Sequence, residues 1–149
     1  FQGPAANGMP ELHQLMPTLG VLQDRGHVVA LVTDGRLSGA SGKVPAAIHV
    51  TPEAAKGGFI GRIQNGDIIS LNVATGELSV ALDDKAFVNR PQAELPLEKH
   101  TVGRGLFRFS REVVSDAECG GCALFGPPII DAPSEAERSQ AAPYEHCAS

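Results

Sequence analysis

The stretch TDGRLSGASGK, residues 33–43, places an aspartate, an arginine, two serines and a lysine among three glycines. Glycine-exposed backbone N–H groups, hydroxyls and cationic side chains are what a loop needs to hold an anion or to press a base against a substrate. A phosphate loop of the Walker A kind requires four residues between its first glycine and a Gly-Lys pair, followed by Ser or Thr. Here only Ala40 and Ser41 separate Gly39 from Gly42, too many residues separate Gly35 from Gly42, and Val44 follows Lys43. The nucleotide reading is therefore set aside. Two readings of the residues stay open. In one, Ser38 sits where glycine lets the backbone approach a ligand, and Arg36 or Lys43 supplies charge to an anionic substrate. In the other, the segment is a strand-to-loop turn in which Asp34 accepts backbone N–H groups and the glycines supply positive φ.

The remaining reactive residues carry weaker signals. His13, His27, His49, His100 and His146 are too dispersed for a sequence-local metal site. Cys119-Gly-Gly-Cys122 has the spacing of half a zinc knuckle or of a redox dithiol. Zinc needs two more ligands, and the redox motif normally opens a helix after a strand, whereas this pair follows a predicted helix. Three cysteines are an odd number, and with no signal peptide at the start of the sequence they are expected to be reduced thiols. Glu11, in GMPEL, suits the N-terminal dipole of a predicted helix or a place as one carboxylate ligand of a metal ion.

The elements that must position these groups follow from pattern. FQGPAANGMPE has no apolar periodicity and predicts an irregular lead-in, followed by a short helix from Pro10 and a restart at Pro17 that stops at Gly26. HVVALVT (27–33) is a β-branched apolar run that predicts a strand buried on both faces, ending in the glycine-rich loop. AAIHV predicts a second short strand. TPEAAKGG predicts a turn or two of helix with Thr51 as N-cap and Pro52 in the first position. Residues 59–82 have the rhythm of two or three antiparallel strands, with turns at Asn65-Gly66 and Thr75-Gly76. DKAFVNRP predicts a short helix, QAELPLEKHTVG a polar connection, and GRGLFRFSREVV a helix before CGGC. The segment from Pro127 lacks periodicity and predicts an extended or disordered tail.

At 149 residues the chain is one domain in size, and its formal charge of −5 offers no basic field for a polyanion. Nucleic acid is not an expected partner. No apolar run is long enough to cross a bilayer and the start of the sequence has no signal core, so no membrane partner and a cytoplasmic location are expected.

In order along the chain, FQGPAANGMPEL, VALVTDGRLSGASGKVPAAIHVTPEAAKGG, QNGDIISLN and GRGLF resemble the C-terminal domain of the dihydroxy-acid and phosphogluconate dehydratase family, from Phe1 to about Phe125. ANGMPELHQL and SGASGKVPAAIHVTPEA are similar to the phosphogluconate branch of it. FQGP, which also has the form of a protease-site remnant, fits the family and is taken as native sequence. The resemblance implies an α/β fold: a swivelling β/β/α domain, as in aconitase-like enzymes, with a barrel-like, largely antiparallel mixed sheet flanked by helices. It spans residues 1–126, with 127–149 as the tail.

The resemblance also implies a fragment, inactive alone, of a longer hydro-lyase acting on 6-phosphogluconate, partnered by its N-terminal domain and forming a homodimer when full-length. By the same resemblance Ser38 is the catalytic base and Glu11 a Mg²⁺ ligand, while a 4Fe–4S cluster takes its ligands from the N-terminal part. Asp34, Gly35, Arg36, Gly39, Ser41 and Lys43 form the substrate-binding loop around Ser38, with Ser41 and Lys43, or Arg36 as a rival, on the substrate phosphate. CGGC matches no cluster motif of the family. Alternatives are a dehydratase of another sugar acid or dihydroxy acid, a non-catalytic module of the same fold that binds a small acid or a partner protein, and a zinc- or thiol-dependent protein using Cys119 and Cys122. A domain made to pack against a larger partner should expose apolar surface when alone.

Overall fold

Proline and glycine punctuate the first third of the chain, and a computed structural model describes residues 1–37, 42–96 and 101–124. Helix α1 spans Pro4–Asn7, with proline in its first turn and Gly8 closing it at φ 69°. The lead-in is thus helical where an irregular segment was expected. Its first N–H groups are satisfied by a side chain 48 positions away, a partner no local pattern reveals.

The helix expected from Pro10 does not start there. Glu11 instead forms an isolated parallel bridge with Arg36, and the Leu12 N–H donates to the Arg36 carbonyl at 3.1 Å. With that donor committed across the chain, Glu11 makes a single bridge and Leu12, at φ −94° and ψ 11°, already leads into the next turn. A 3-10 turn at His13–Leu15 leads into α2, Met16–Asp24, with Pro17 in its first turn. Gly26, at φ 89°, turns the chain out of α2.

Strand β1 is only Leu31–Val32 and pairs in parallel with β2, Ala46–Ala47. The pairing runs on irregularly: Thr33 donates to Ala47, Val50 to Thr33 and His49 to Gly35. The expected burial on both faces is not seen. Val28 is fully exposed, and Leu31 and Val32 are half-buried. A two-stranded sheet of this length has one covered face among the described residues, against Met16, Leu37 and Val44.

The segment after β2 also departs from expectation. Glu53, not Thr51, precedes the 3-10 turn Ala54–Lys56, which ends at Gly57 with φ 83°. The first predicted meander strand is a second 3-10 turn, Phe59–Arg62. Gly58 and Gly61 pack there against the Pro52 carbonyl and the Gln92 amide, too close for strand geometry or for a side chain. The hairpin itself is as expected. Strand β3 (Ile69–Asn72) pairs antiparallel with β4 (Glu77–Val80) in the register Ile69↔Val80 to Asn72↔Glu77. Asn72 Oδ1 accepts the Ala74 and Thr75 N–H groups in the turn.

Helix α3, Asp84–Val88, is capped by Asp83, whose Oδ2 accepts the Ala86 N–H at 3.1 Å. Helix α4 (Val102–Leu106) is capped by Thr101, and α5 (Arg108–Val113) continues the helical run expected there. The architecture is mixed α/β. The described strands form two separate two-stranded sheets, one parallel and one antiparallel, rather than one barrel-like sheet.

The core is small. Met16, Leu37 and Val44 are buried, with Leu12, Leu19, Val29, Leu31 and Ile48 packed on them. Ile68, Val102, Leu106 and Phe109 stand largely in solvent, in line with the exposed apolar surface expected of an uncovered domain. The tail expected at 127–149 lies outside the described residues.

Polar ties replace part of the missing apolar burial around the hairpin. Arg90 Nη1 donates to Asp67 Oδ2 at 2.6 Å, and the Gln64 N–H donates to the same oxygen at 2.8 Å. Arg62 reaches the Val88 and Arg90 carbonyls. Gln92 Nε2 donates to the Ala54 and Gly58 carbonyls.

Two predictions follow from this packing. A methyl group at Gly58 would collide with the Pro52 and Glu53 backbone, so Gly58→Ala should cost about 3 kcal/mol, the upper end of over-packing costs. An unchanged midpoint in urea unfolding would refute that. The hydrogen bond from Arg90, then that from Gln64, holds the Asp67 carboxyl below its usual range. A depressed carboxylate stabilises the fold above the unfolded value of about 3.9 and loses that contribution as pH falls through the folded value. Wild type should therefore lose more stability than Asp67→Asn on acidification from pH ~6 to ~2; parallel stability–pH curves would refute it.

Candidate functional site

Beyond β1 the chain turns inward. Thr33 Oγ1 accepts the Gly35 N–H at 2.9 Å, and Thr33, Asp34 and Gly35 are all buried. Asp34 is 2 % exposed. Its Oδ1 accepts the Gln2 N–H at 2.8 Å and lies 3.7 Å from the Phe1 amino group, while its Oδ2 accepts the Ala54 N–H at 3.0 Å. Both oxygens are engaged inside the protein, by N–H groups from segments 32 and 20 residues away. Gly35 is tightly enclosed: a Cβ there would come within 2.8 Å of Gln2 Cβ and 3.2 Å of the Gln2 carbonyl.

Arg36 points outward and is half exposed. Its Nε donates to the Met9 carbonyl at 2.8 Å, and its Nη1 donates to Glu11 Oε2 at 3.3 Å. Glu11 Oε1 accepts the His13 N–H at 3.1 Å. The backbone bridge and the ion pair thus join two segments 25 residues apart, the MPE segment and the DGR segment. Lys43 is placed elsewhere. Its Nζ meets the Asp24 carboxylate at 2.5 Å, and its carbonyl accepts from Gln23 Nε2 at 2.7 Å, which sets it at the end of α2. Ser38, Gly39 and Ser41 lie outside the described residues. The chain on either side of them is anchored, since Leu37 and Val44 share one core cluster.

Two residues that the sequence did not single out shape this region. Glu53 is 2 % exposed. Its Oε1 accepts the Ala5 N–H at 2.7 Å and its Oε2 the Ala6 N–H at 3.0 Å, capping α1 from across the chain. At the other end of α1, Arg104 donates to Asn7 Oδ1 at 2.6 Å and to the Ala6 carbonyl at 3.2 Å. Arg111 donates to the Arg104 carbonyl. A cleft of about 530 Å³ opens here, lined in part by Asn7, Met9, Arg104, Phe107 and Arg111. Neither partnership leaves a local trace, because the partners are 47 to 98 positions apart.

The CGGC segment is a closed turn. A 3-10 turn at Ala117–Cys119 passes into Gly120 and Gly121, both at positive φ, and the Cys122 N–H and carbonyl return to Ser115. Cys119 is disulfide-bonded and Cys122 is a free thiol, so the expectation of uniformly reduced thiols is corrected. The pair is therefore not a dithiol.

No group of three or more His, Cys, Asp or Glu side chains is gathered to hold a metal among the described residues. An iron–sulfur cluster is held by several thiolates, which the described residues do not supply. Mg²⁺ favours octahedral oxygen coordination with one or two carboxylates and several waters. The Glu11 carboxylate is partly exposed and of the type such a site uses, with Oε1 on the His13 N–H and Oε2 on Arg36.

Residues 1–121 match the family described as dihydroxy-acid/6-phosphogluconate dehydratase C-terminal. The chain is 54% identical over 127 residues to a phosphogluconate dehydratase of Rhizobium meliloti, covering 84% of this chain and 21% of that protein. It is 56% identical over 125 residues to that of Pseudomonas aeruginosa and 54% identical over 125 residues to that of Escherichia coli K12, each covering 83% of this chain and 21% of the relative. The chain thus spans about a fifth of the length of these relatives. A match that takes in α1, the Glu11–Arg36 bridge and every other described element up to the CGGC turn shows that the chain belongs to the dihydroxy-acid/6-phosphogluconate dehydratase C-terminal family.

Proposed function

We propose that this chain is the C-terminal domain of a phosphogluconate dehydratase, an iron–sulfur- and Mg²⁺-dependent lyase that converts 6-phosphogluconate to 2-keto-3-deoxy-6-phosphogluconate in the Entner–Doudoroff route. The observation that carries this reading is the Glu11–Arg36 bridge: it joins the MPE and DGRLSG segments in a chain more than half identical to named phosphogluconate dehydratases. The partners in this reading are the N-terminal domain of the same longer chain and, in the full-length enzyme, a second copy. Exposed Val102, Leu106 and Phe109 agree with a domain that is covered in its natural setting. No helix among the described residues is long and apolar enough to cross a membrane.

The reaction removes the C2 proton and the C3 hydroxyl of a 2,3-dihydroxy acid. Ser38 takes the C2 proton, the C–H electron pair becomes the C2–C3 double bond, and the C3–O bond breaks with its electron pair on the departing hydroxide, which takes up one proton, equal to the one removed from C2, to leave as water. The enol product then tautomerises to the 2-keto acid. A serine oxygen is far too basic to be ionised unaided, so its alkoxide needs neighbouring positive charge and preorganised donors. Arg36, two residues before it, is the cation this chain brings nearest in sequence.

Glu11 supplies one carboxylate oxygen to Mg²⁺, which when bound stabilises the negative charge that develops next to the substrate carboxylate. The 4Fe–4S cluster, in this reading, is held by the rest of the longer chain. Asp34 and Gly35 contribute by shaping the loop from beneath, and Gly39 by admitting the substrate. Ser41 and Lys43 hold the 6-phosphate. Lys43 is bound to Asp24 in an exposed ion pair of the kind worth about 0–1 kcal/mol, so a phosphate dianion can take it over at little cost.

Ser38→Ala in the full-length enzyme, with cluster content and substrate binding retained, should lower turnover by about 10³-fold or more. Near-normal turnover would return the segment to a structural turn, and an inactive wild type would overturn the substrate assignment. Lys43→Ala should raise KM for 6-phosphogluconate about 10-fold to 100-fold, the loss of a charge-assisted hydrogen bond. An unchanged KM would remove Lys43 from the phosphate site.

A further inference from the structure

Helix α1 is held by its two ends from elsewhere in the chain. Its four residues are far too few to form a stable helix alone, and no neighbouring side chain caps it. Glu53 takes the two leading N–H groups, where the helix dipole is positive, and Arg104 takes a trailing carbonyl and the Asn7 side chain, where it is negative. Glu53 is fully withdrawn from water, and Gly3 leaves no room for any side chain beside it. Charge-assisted hydrogen bonds of this kind are about twice as strong as neutral ones, and a carboxylate that lost them would be a buried uncompensated charge.

The connection from α1 to Glu11 is short and stiff. Only Gly8, Met9 and Pro10 intervene. Gly8 and Met9 both occupy the left-handed region, at φ 69° and 54°. The Met9 N–H donates to the Gly3 carbonyl at 3.2 Å, and the Met9 carbonyl accepts from Arg36 Nε at 2.8 Å. A shift of α1 is therefore passed to Glu11 and to its ion pair with Arg36.

We propose that Glu53 and Arg104 are positioning residues: gripping α1 by its opposite ends, they set the place of the Glu11 carboxylate, an inference that rests on Glu11 being the Mg²⁺-binding carboxylate. Both act through the backbone of α1, which separates them from Glu11. Glu53→Gln keeps the volume but presents an NH₂ donor to one of the two N–H groups it must accept. Arg104→Lys keeps the charge but loses the planar fork that spans Asn7 and Ala6.

The test is direct titration of the full-length enzyme with Mn²⁺, followed by the electron paramagnetic resonance of the free ion. Outer-shell changes of this kind weaken metal affinity about 10-fold to 100-fold, and that is the shift expected in each variant. KM for substrate at saturating metal should stay near the wild-type value, with excess Mg²⁺ recovering most of the lost turnover. A purely structural role would lower the unfolding midpoint and leave the Mn²⁺ affinity of the folded protein unchanged, which overturns the proposal. Should Glu53→Gln fail to fold, Arg104→Lys decides alone. Glu11→Gln separates the two layers of the argument. Wild-type Mn²⁺ affinity in that variant refutes the ligand role itself, whereas weakened affinity there with unaltered Glu53 and Arg104 variants refutes only the positioning.

Discussion

Two carboxylates withdrawn from water, Asp34 and Glu53, hold this domain together by accepting backbone N–H groups from distant segments. Asp34 ties residue 2 and residue 54 to the end of β1, and Glu53 ties residues 5 and 6 to the turn that begins at 54. The two knots share two segments of chain, residues 2–6 and 53–54. A buried carboxylate that loses its donors is far more costly than an apolar gap of similar size, so this arrangement is strongly determined even though little hydrocarbon surrounds it. The position of Glu11 beside Arg36 depends on it, because both residues hang from the segments that the carboxylates join.

The small apolar core fits that picture. Three buried residues and their neighbours between α2 and the β1–β2 pair stabilise one corner of the molecule. The 59–62 turn is tied to the end of α3, α4 to α1, and the segment after α5 to the 54–56 turn by guanidinium contacts to carbonyls and by the Lys56–Asp116 ion pair. Large apolar side chains on those elements face solvent, as suits a domain that completes its core against another body.

What was legible in the sequence was local. Pro17 and Gly26 bracket α2, and Gly76, at φ 72°, turns the hairpin, each because a φ preference acts within a residue or two. The family, too, was readable from motifs in order. Illegible features were those set by partners far along the chain. Residues 4–7 are helical through Glu53, Glu11 is held in a bridge by Arg36, and residues 59–62 are a 3-10 turn beside Gln92 and the Pro52 carbonyl. The apolar run 27–33 looked fully buried because composition registers what a strand could bury and not whether a second layer exists to cover it.

By itself, then, the sequence determined the family and the short elements bounded by nearby prolines and glycines, since those depend on residue type and near spacing. Only the tertiary structure decided that Asp34 faces inward, that Glu11 pairs with Arg36, that Lys43 rests on Asp24 and that Glu53 and Arg104 grip α1. Each of these is a choice among several chemically equivalent partners. Only the path of the backbone, which brings these groups within hydrogen-bonding reach of each other, makes it.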